Sequence, residues 1–274
     1  MTLRLSWSRL RTHNECKQKG MLQREHKQTP LQNTRNFFPG TVTDRVVRDW
    51  LRDDPENNPG IMKDMVVDVI EREKQEIDDG NRGVMLWKDS KDKDDVIEVC
   101  QAAVINIEDS LNKYVLPFDY QTDYHFQSSM DLPHPGGGTE TVILNGYMDI
   151  IVRDSKGRWA VWDVKHTKDN SYWKKTQGQL GFYDLAVNLE TGSYTAMTGL
   201  LQPLCKEKVK PIKLTADSRS VMLSSITSMA NDVWNKDEAP RTDNKFCYNC
   251  EVRHACSKFK PRVVEGKKVA MFGG

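Results

Sequence analysis

The chain has 274 residues, 40 of them Lys or Arg and 39 Asp or Glu, for a formal net charge of +1. Near-neutrality excludes a globally basic, histone-like nucleic-acid binder but leaves local basic patches open. A hydrophobic fraction of 38%, with 7 Trp, 8 Tyr and 8 Phe, is enough for one sizeable core and unlike a disordered chain. Mean hydropathy is −0.67, no apolar run approaches the ~20 residues of a membrane span, and MTLRLSWSRLRTHNEC reads without a signal peptide. A cytoplasmic protein is expected. Its 6 cysteines are then not a disulfide framework.

In chain order, the first segment is expected to be one helix, over about 5–27. Ser6 or Ser8 can cap it, and Trp7 and Leu10 lie on its apolar side. FFPG (37–40) is read as a break, 41–51 as a helix, 53–60 as a loop and 61–78 as a helix. The charged tract DSKDKDD (89–95) is expected to be a solvated turn before a helix over 96–116. Alternation of Tyr120, Thr122, Tyr124, Phe126 and Ser128 predicts a strand, and LPHPGGGTE (132–140) a flexible loop. TVILNGYMDIIV (141–152) and RWAVWDVK (158–165) predict a β-hairpin covered on both faces. Then come a helix over 172–189, strands over 194–203 and 208–214, a helix over 221–235 and a basic, Cys-containing tail from Pro240. This order predicts a mixed α/β layer fold without a regular βαβ repeat.

The pattern [DE]-x-K occurs seven times, and only Asp163-Val164-Lys165 lies inside an apolar strand. Period two puts Asp163 and Lys165 on one face, where buried charges are costly unless paired or metal-bound. With a turn near Lys156, Asp149 and Asp163 are each seven residues from its centre, so antiparallel pairing sets them opposite one another. Facing carboxylates suit a hard divalent ion such as Mg²⁺ or Mn²⁺; the plain alternative is a surface hairpin with an ion pair. Gln179 and Tyr183 lie one helical turn apart, positioned either for a phosphate or base or simply on an amphipathic face.

Cys247-x2-Cys250-x5-Cys256 has metal-knuckle spacing. His254 could complete a zinc site, or Cys16 a four-thiolate site suited to zinc or an iron–sulfur cluster. Cys100 and Cys205 read as plain buried thiols.

Gly146-x-x-Asp149, Asp163-Val164-Lys165 and Gln179-x3-Tyr183, in that order, resemble the RecB-like branch of the PD-(D/E)XK nucleases. The split cysteine set resembles its iron–sulfur members, the CRISPR-associated RecB-like exonucleases and AddB-type nuclease domains. The resemblance implies a restriction-endonuclease-like mixed sheet flanked by helices, as one nuclease domain over 1–274. Asp149 and Asp163 would be catalytic metal ligands for Mg²⁺ or Mn²⁺, with the Val164 carbonyl as a third and Lys165 as the catalytic lysine. Gln179 and Tyr183 would contact DNA or steady the site. Cys16, Cys247, Cys250 and Cys256 would hold a [4Fe–4S] cluster, with zinc as the alternative occupant. The cluster would tie the first helix (about 5–27) to the Cys-rich segment (about 240–260). In Gly40-Thr41-Val42-Thr43-Asp44, Asp44 stands where the family commonly has a metal-binding His.

The implied activity is a metal-dependent deoxyribonuclease, an exonuclease on single-stranded or frayed DNA ends in phage or prokaryotic DNA processing. It would be cytoplasmic, in a prokaryotic cell or phage-infected host, with DNA as partner and no membrane. The rival is a weak or inactive nucleic-acid-binding module that keeps the fold. Basic stretches at Arg4/Arg9/Arg11, Lys165/Lys168/Lys174/Lys175 and Lys258/Lys260/Arg262 could track a backbone, and Trp7, Tyr172 and Trp173 could stack on bases; each stretch can equally be a solvated face.

Overall fold

The computed structural model describes residues 2–25, 38–53, 60–79, 87, 90–235, 247, 250, 256, 263–264 and 267–268. They form β1 (Leu3–Leu5), α1 (Trp7–Glu15), α2 (Lys17–Glu25), α3 (Phe38–Arg52), α4 (Met62–Asp78), α5 (Ser90–Tyr114), β2 (Asp119–Pro133), β3 (Thr139–Arg153), β4 (Trp159–Val164), α6 (Trp173–Thr191), β5 (Met197–Leu201), β6 (Val209–Ile212), α7 (Ala216–Asn235), β7 (Val263–Val264) and β8 (Lys267–Lys268). Six strands make one mixed sheet in the order β1-β3-β4-β5-β6, with β2 also paired to β3. Strand β1 is parallel to β3 and β4 to β5; the other pairs are antiparallel.

Several boundaries differ from expectation for local reasons. The first segment is a short strand and two helices, because the backbone at Cys16 is extended (φ −161°, ψ 108°) and ends α1. Phe38-Pro39-Gly40 opens α3 instead of breaking the chain; proline is tolerated in a first helical turn, where its missing N–H has no partner to lose. Ser90–Asp95 form the first turns of α5, not a solvated turn: Asp92 lies in the first turn, where an acid suits the helix dipole, and is buried. The predicted loop over 132–140 shrinks to the turn between β2 and β3, because both strands run to its edge.

Two apolar layers sandwich the sheet. Leu10 of α1, Leu180 and Phe182 of α6, and Met222 and Ile226 of α7 share one cluster with Phe126, Val142, Leu144 and Met148. Val42 and Val46 of α3, Val66 and Ile70 of α4, and Val104 and Ile107 of α5 share the other with Ile150, Val152 and Trp162. Close approach is bought with glycine at two points. A Cβ at Gly178 would stand 2.3 Å from Trp7 Cη2, and one at Gly199 would stand 2.4 Å from Trp162 Cζ3.

The long β2–β3 hairpin changes face partway along. Val142, Leu144 and Met148 point into the first layer, but Ile150 and Val152 point into the second. Strict alternation would keep all five on one side. The switch falls at Asp149, and Asp149 and its opposite number Asp123 are the one pair missing from an otherwise continuous register. Asp123 has φ +50°, a left-handed conformation that Asp tolerates better than most residues. The other edge of β3 is divided too: β1 pairs with residues 142–144 and β4 with 150–153. Asp149 therefore sits in the gap between two neighbours.

Candidate active site

The hairpin register Ile150↔Trp162, continued by one step, sets Asp149 opposite Asp163, as the spacing predicted. Asp149 Oδ2 accepts the Val164 backbone N–H at 2.9 Å, which fastens it to the end of β4. Asp163 is fully buried; Lys165 Nζ lies 2.5 Å from its Oδ2 and Gln179 Nε2 donates to its Oδ1 at 3.0 Å. Gln179 also reaches the Tyr183 hydroxyl at 2.7 Å. The one-turn spacing of Gln179 and Tyr183 thus steadies Asp163 from the α6 side, and Tyr183 is buried.

The opposite layer contributes Asp44 from α3. Arg48, one turn further on, holds Asp44 Oδ2 at 2.9 Å and also binds Asp123. Arg52 reaches Asp123 at 3.3 Å. The second oxygen of Asp44, Oδ1, is buried and has no hydrogen-bond partner. Thr43 Oγ1 lies 2.9 Å from His166 Nδ1, joining α3 to the segment just after Lys165. Arg48, Asp123, Thr43 and His166 escaped the sequence reading. The i, i+4 spacing of Asp44 and Arg48 was a usable signal; the long-range partners were not.

Electrostatics show a site crowded with negative charge. Burial, then Asp149, push the Asp44 carboxyl up to about 8 against the pull of Arg48 and Lys165. Burial pushes Asp163 up to about 7, with Lys165 opposing and Asp149 assisting. Burial disfavours the Lys165 ammonium, but Asp163 and Asp149 outweigh it and hold the lysine well above its ordinary value. Lys165 therefore stays protonated at neutral pH in the metal-free protein. Burial, then the same carboxylates, raise Tyr183 and keep its phenol protonated. Burial, with Lys168, lowers His166 to about 4, so its ring is neutral at pH 7.

The donor chemistry suits a hard cation: oxygen ligands of net negative charge, one of them buried and unpaired. Among the described residues, no three His, Cys, Asp or Glu side chains form a ligand set by themselves. An open arrangement of this kind is how Mg²⁺ is usually held, by one or two carboxylates with water and substrate phosphate completing the shell. Val164 lies at the end of β4 beside Asp149.

The cysteines fare differently. Cys16, Cys247, Cys250 and Cys256 are all part-exposed, and among the described residues they do not form a ligand set. Cys256 Sγ does reach Gln18 Oε1 at 3.3 Å, two residues from Cys16. Cys100 and Cys205 are buried thiols donating to the carbonyls of Pro39 and Thr167, as predicted. Trp7 is half-buried, packed at Gly178 and against Phe182. Lys174 and Lys175 lie over the rings of Trp173 and Tyr172. Lys258, Lys260, Arg262 and His254 lie outside the described residues.

A divided pairing edge on β3, two opposed acids, a charged lysine and a glutamine behind them make up the candidate site on this mixed α/β scaffold. The sequence profile of the PD-(D/E)XK nuclease superfamily matches residues 4–257, and the chain belongs to that superfamily. No curated protein matches. Among solved structures, a protein described as a "putative exonuclease" from Eubacterium rectale has a TM-score of 0.52 at 14% identity, covering 95% of this chain and 91% of its own. A second, SSO0001, covers 88% of this chain and 93% of its own at 14% identity, with a TM-score of 0.35, too low to argue a shared fold. Among the described residues, no helix is long and apolar enough to cross a membrane.

Proposed function

We propose that this protein is a metal-dependent DNA exonuclease of the RecB-like branch, hydrolysing phosphodiester bonds at single-stranded or frayed ends in phage or prokaryotic DNA processing. The observation that carries the reading is the clustering of Asp149, Asp163 and Lys165 at the end of β4, with Asp44 near enough to feel their charges and one of its oxygens buried and unpaired. PD-(D/E)XK nucleases generally use Mg²⁺ or Mn²⁺; Asp44, Asp149, Asp163 and the Val164 carbonyl are the groups that would hold one. Such an ion, when bound, polarises a phosphoryl oxygen and lowers the pKa of its water. Lys165, kept protonated, offers its ammonium to an attacking water or to charge developing on the phosphate. Gln179 holds Asp163 in orientation, and the protonated Tyr183 hydroxyl completes that wall. Lys168, Lys174 and Lys175 are exposed between Lys165 and the first turn of α6, where a nucleic-acid backbone can meet them.

The test uses 5′- and 3′-end-labelled DNA with Mg²⁺ or Mn²⁺. Wild type should release label and Asp163→Asn should not. Equal digestion by both, or by neither, overturns the reading. The second outcome favours a binding module that keeps the fold, a reading supported by the engagement of Asp44 with Arg48. An iron–sulfur clasp between the chain ends is a separate proposal, supported by the Cys256–Gln18 contact. Anaerobic purification tests it: a brown, iron-containing protein supports the cluster, a colourless zinc protein replaces it with zinc, and a metal-free one removes the clasp.

A further inference from the structure

We propose that Arg48, anchored by Asp123, is a positioning residue that presents the free oxygen of Asp44 to the metal. The inference rests on the reading above, that Asp44, Asp149 and Asp163 hold a divalent cation.

Asp44 is a short side chain on a helix, facing a site built on strands. One of its oxygens is held by Arg48 Nη2 at 2.9 Å, while the other is buried and unpartnered. A buried carboxylate oxygen without a partner is costly, and it persists where the surrounding structure fixes it for a ligand. Arg48 does the fixing. Its guanidinium is a rigid planar fork that grips two carboxylates at once. One is Asp44, on its own helix; the other is Asp123, across the layer boundary. With Arg48 held at both ends, the Asp44 carboxylate cannot rotate freely about its χ angles.

Asp123 is itself specially placed. It is the positive-φ residue of β2, and it faces Asp149 where the hairpin register is interrupted. The same kink that carries Asp149 between the two layers turns the Asp123 carboxylate toward α3. A left-handed backbone conformation at a non-glycine residue is retained where the surroundings impose it. Here Arg48 and Arg52 both bind the residue that adopts it. The two ligand-bearing elements, α3 and β3, are thus referenced to one another through Arg48 and the Asp123–Asp149 kink.

Two opposite effects of Arg48 can be separated. As a positioning group it should strengthen cation binding; as a nearby positive charge it should weaken it. Outer-sphere groups that orient a ligand typically matter by about 10–100-fold in metal affinity. Mn²⁺ titration of the full-length protein by calorimetry, with melting temperature followed in parallel, decides between the two. Arg48→Gln should weaken Mn²⁺ binding by about tenfold, Asp123→Asn should weaken it in the same direction, and Arg48→Lys should recover only part. In an Asp44→Asn background, Arg48→Gln should add nothing further. Unchanged or tighter binding in Arg48→Gln overturns the proposal, and so does an equal loss with and without Asp44. Asp163→Asn separates the two levels of the argument. If it removes Mn²⁺ binding while Arg48→Gln does not alter it, only the positioning role fails; if wild type and Asp163→Asn bind Mn²⁺ equally, the metal reading fails with it. Should Arg48→Gln not fold, Asp123→Asn and Arg48→Lys carry the same test.

Discussion

Two buried acids on neighbouring elements make the useful contrast. Asp184 of α6 and Asp163 of β4 are both fully buried. Around Asp184, every direction is filled. The Thr195 N–H and hydroxyl donate to Oδ1 at 2.8 and 2.5 Å, and Arg219 Nε to Oδ2 at 2.7 Å. This carboxylate ties α6 to α7 and to the start of β5. Asp163 instead faces a lysine and two further acids, and burial and Asp149 hold its pKa high. A buried acid whose partners balance it is a structural joint. One crowded with like charge stores a demand for a cation.

The contrast can be broken by exchanging the two lesions. Asp163→Asn keeps size and the Gln179 contact but removes the negative charge; nuclease activity should fall on the order of 10²–10³-fold, the usual scale for losing one charge-stabilising group, while the metal-free melting temperature changes little. Asp184→Ala should do the reverse. Stranding Arg219 and two donors costs about 3 kcal/mol of stability, read as a lowered melting temperature, with Mn²⁺ affinity of the folded protein retained. If Asp184→Ala abolishes Mn²⁺ binding, or Asp163→Asn unfolds the protein, the two acids do not differ in kind.

Much of the Asp163 side was legible in advance, because it is local. Strand period, hairpin symmetry and helical spacing join Asp149, Asp163, Lys165, Gln179 and Tyr183 within thirty-five residues. Asp44 was legible only by resemblance. Its surroundings were not, because Asp123 meets Arg48 across 75 residues and His166 meets Thr43 across 123. No periodicity encodes such contacts. The kink at Asp123 was hidden for another reason: an Asp in an alternating strand gives no hint of a left-handed φ. The helix starts at Phe38 and Ser90 were misread because Pro-Gly and a dense charge tract look like breakers, whereas at a first turn both are compatible with helix.

Proton linkage sharpens the contrast under milder conditions. Asp44 and Asp163 have folded-state pKa values raised to about 8 and about 7, above the ordinary carboxylate value of the unfolded chain. The folded, metal-free protein therefore binds more protons than the unfolded one across that window, and their stabilising contribution is lost as pH rises through it. His166 has the opposite sign: its pKa is lowered to about 4, so its contribution grows from about pH 4 and is complete by its ordinary value near 6.5. Above about pH 6.5 the His166 contribution is complete, and that of the two carboxylates is still changing. Metal-free melting temperature should fall over that interval, and added Mn²⁺ should raise it more at pH 8 than at pH 6.5, because the cation competes with protons. A metal-free protein that gains stability from pH 6.5 to 8 contradicts this account. So does a Mn²⁺ effect that does not vary with pH. Asp184→Asn should leave the pH dependence in place.

The smallest effect concerns how α3 is held against the end of β4. Thr43 precedes Asp44, and His166 follows Lys165, so the Thr43–His166 hydrogen bond joins the neighbours of two site residues, one on α3 and one just after β4. Thr43 is fully buried, and the ring it meets is neutral at pH 7, so the bond is an uncharged one worth about 1 kcal/mol. Thr43→Val retains the branched shape and removes the hydroxyl. It should lower stability by about that amount, shifting the melting temperature by about 2–4 °C for a chain of this size. The site should respond less in stability than in geometry: α3 keeps its apolar packing through Val42 and Val46, but Asp44 loses one of its references to the end of β4. Thr43→Val should therefore reduce Mn²⁺ affinity only slightly in wild type and more strongly once Arg48→Gln has removed the other tether. Melting and Mn²⁺ titration of the single and double variants measure that coupling. Strict additivity would show that the two tethers act independently, and that α3 is placed on the sheet by its apolar face alone.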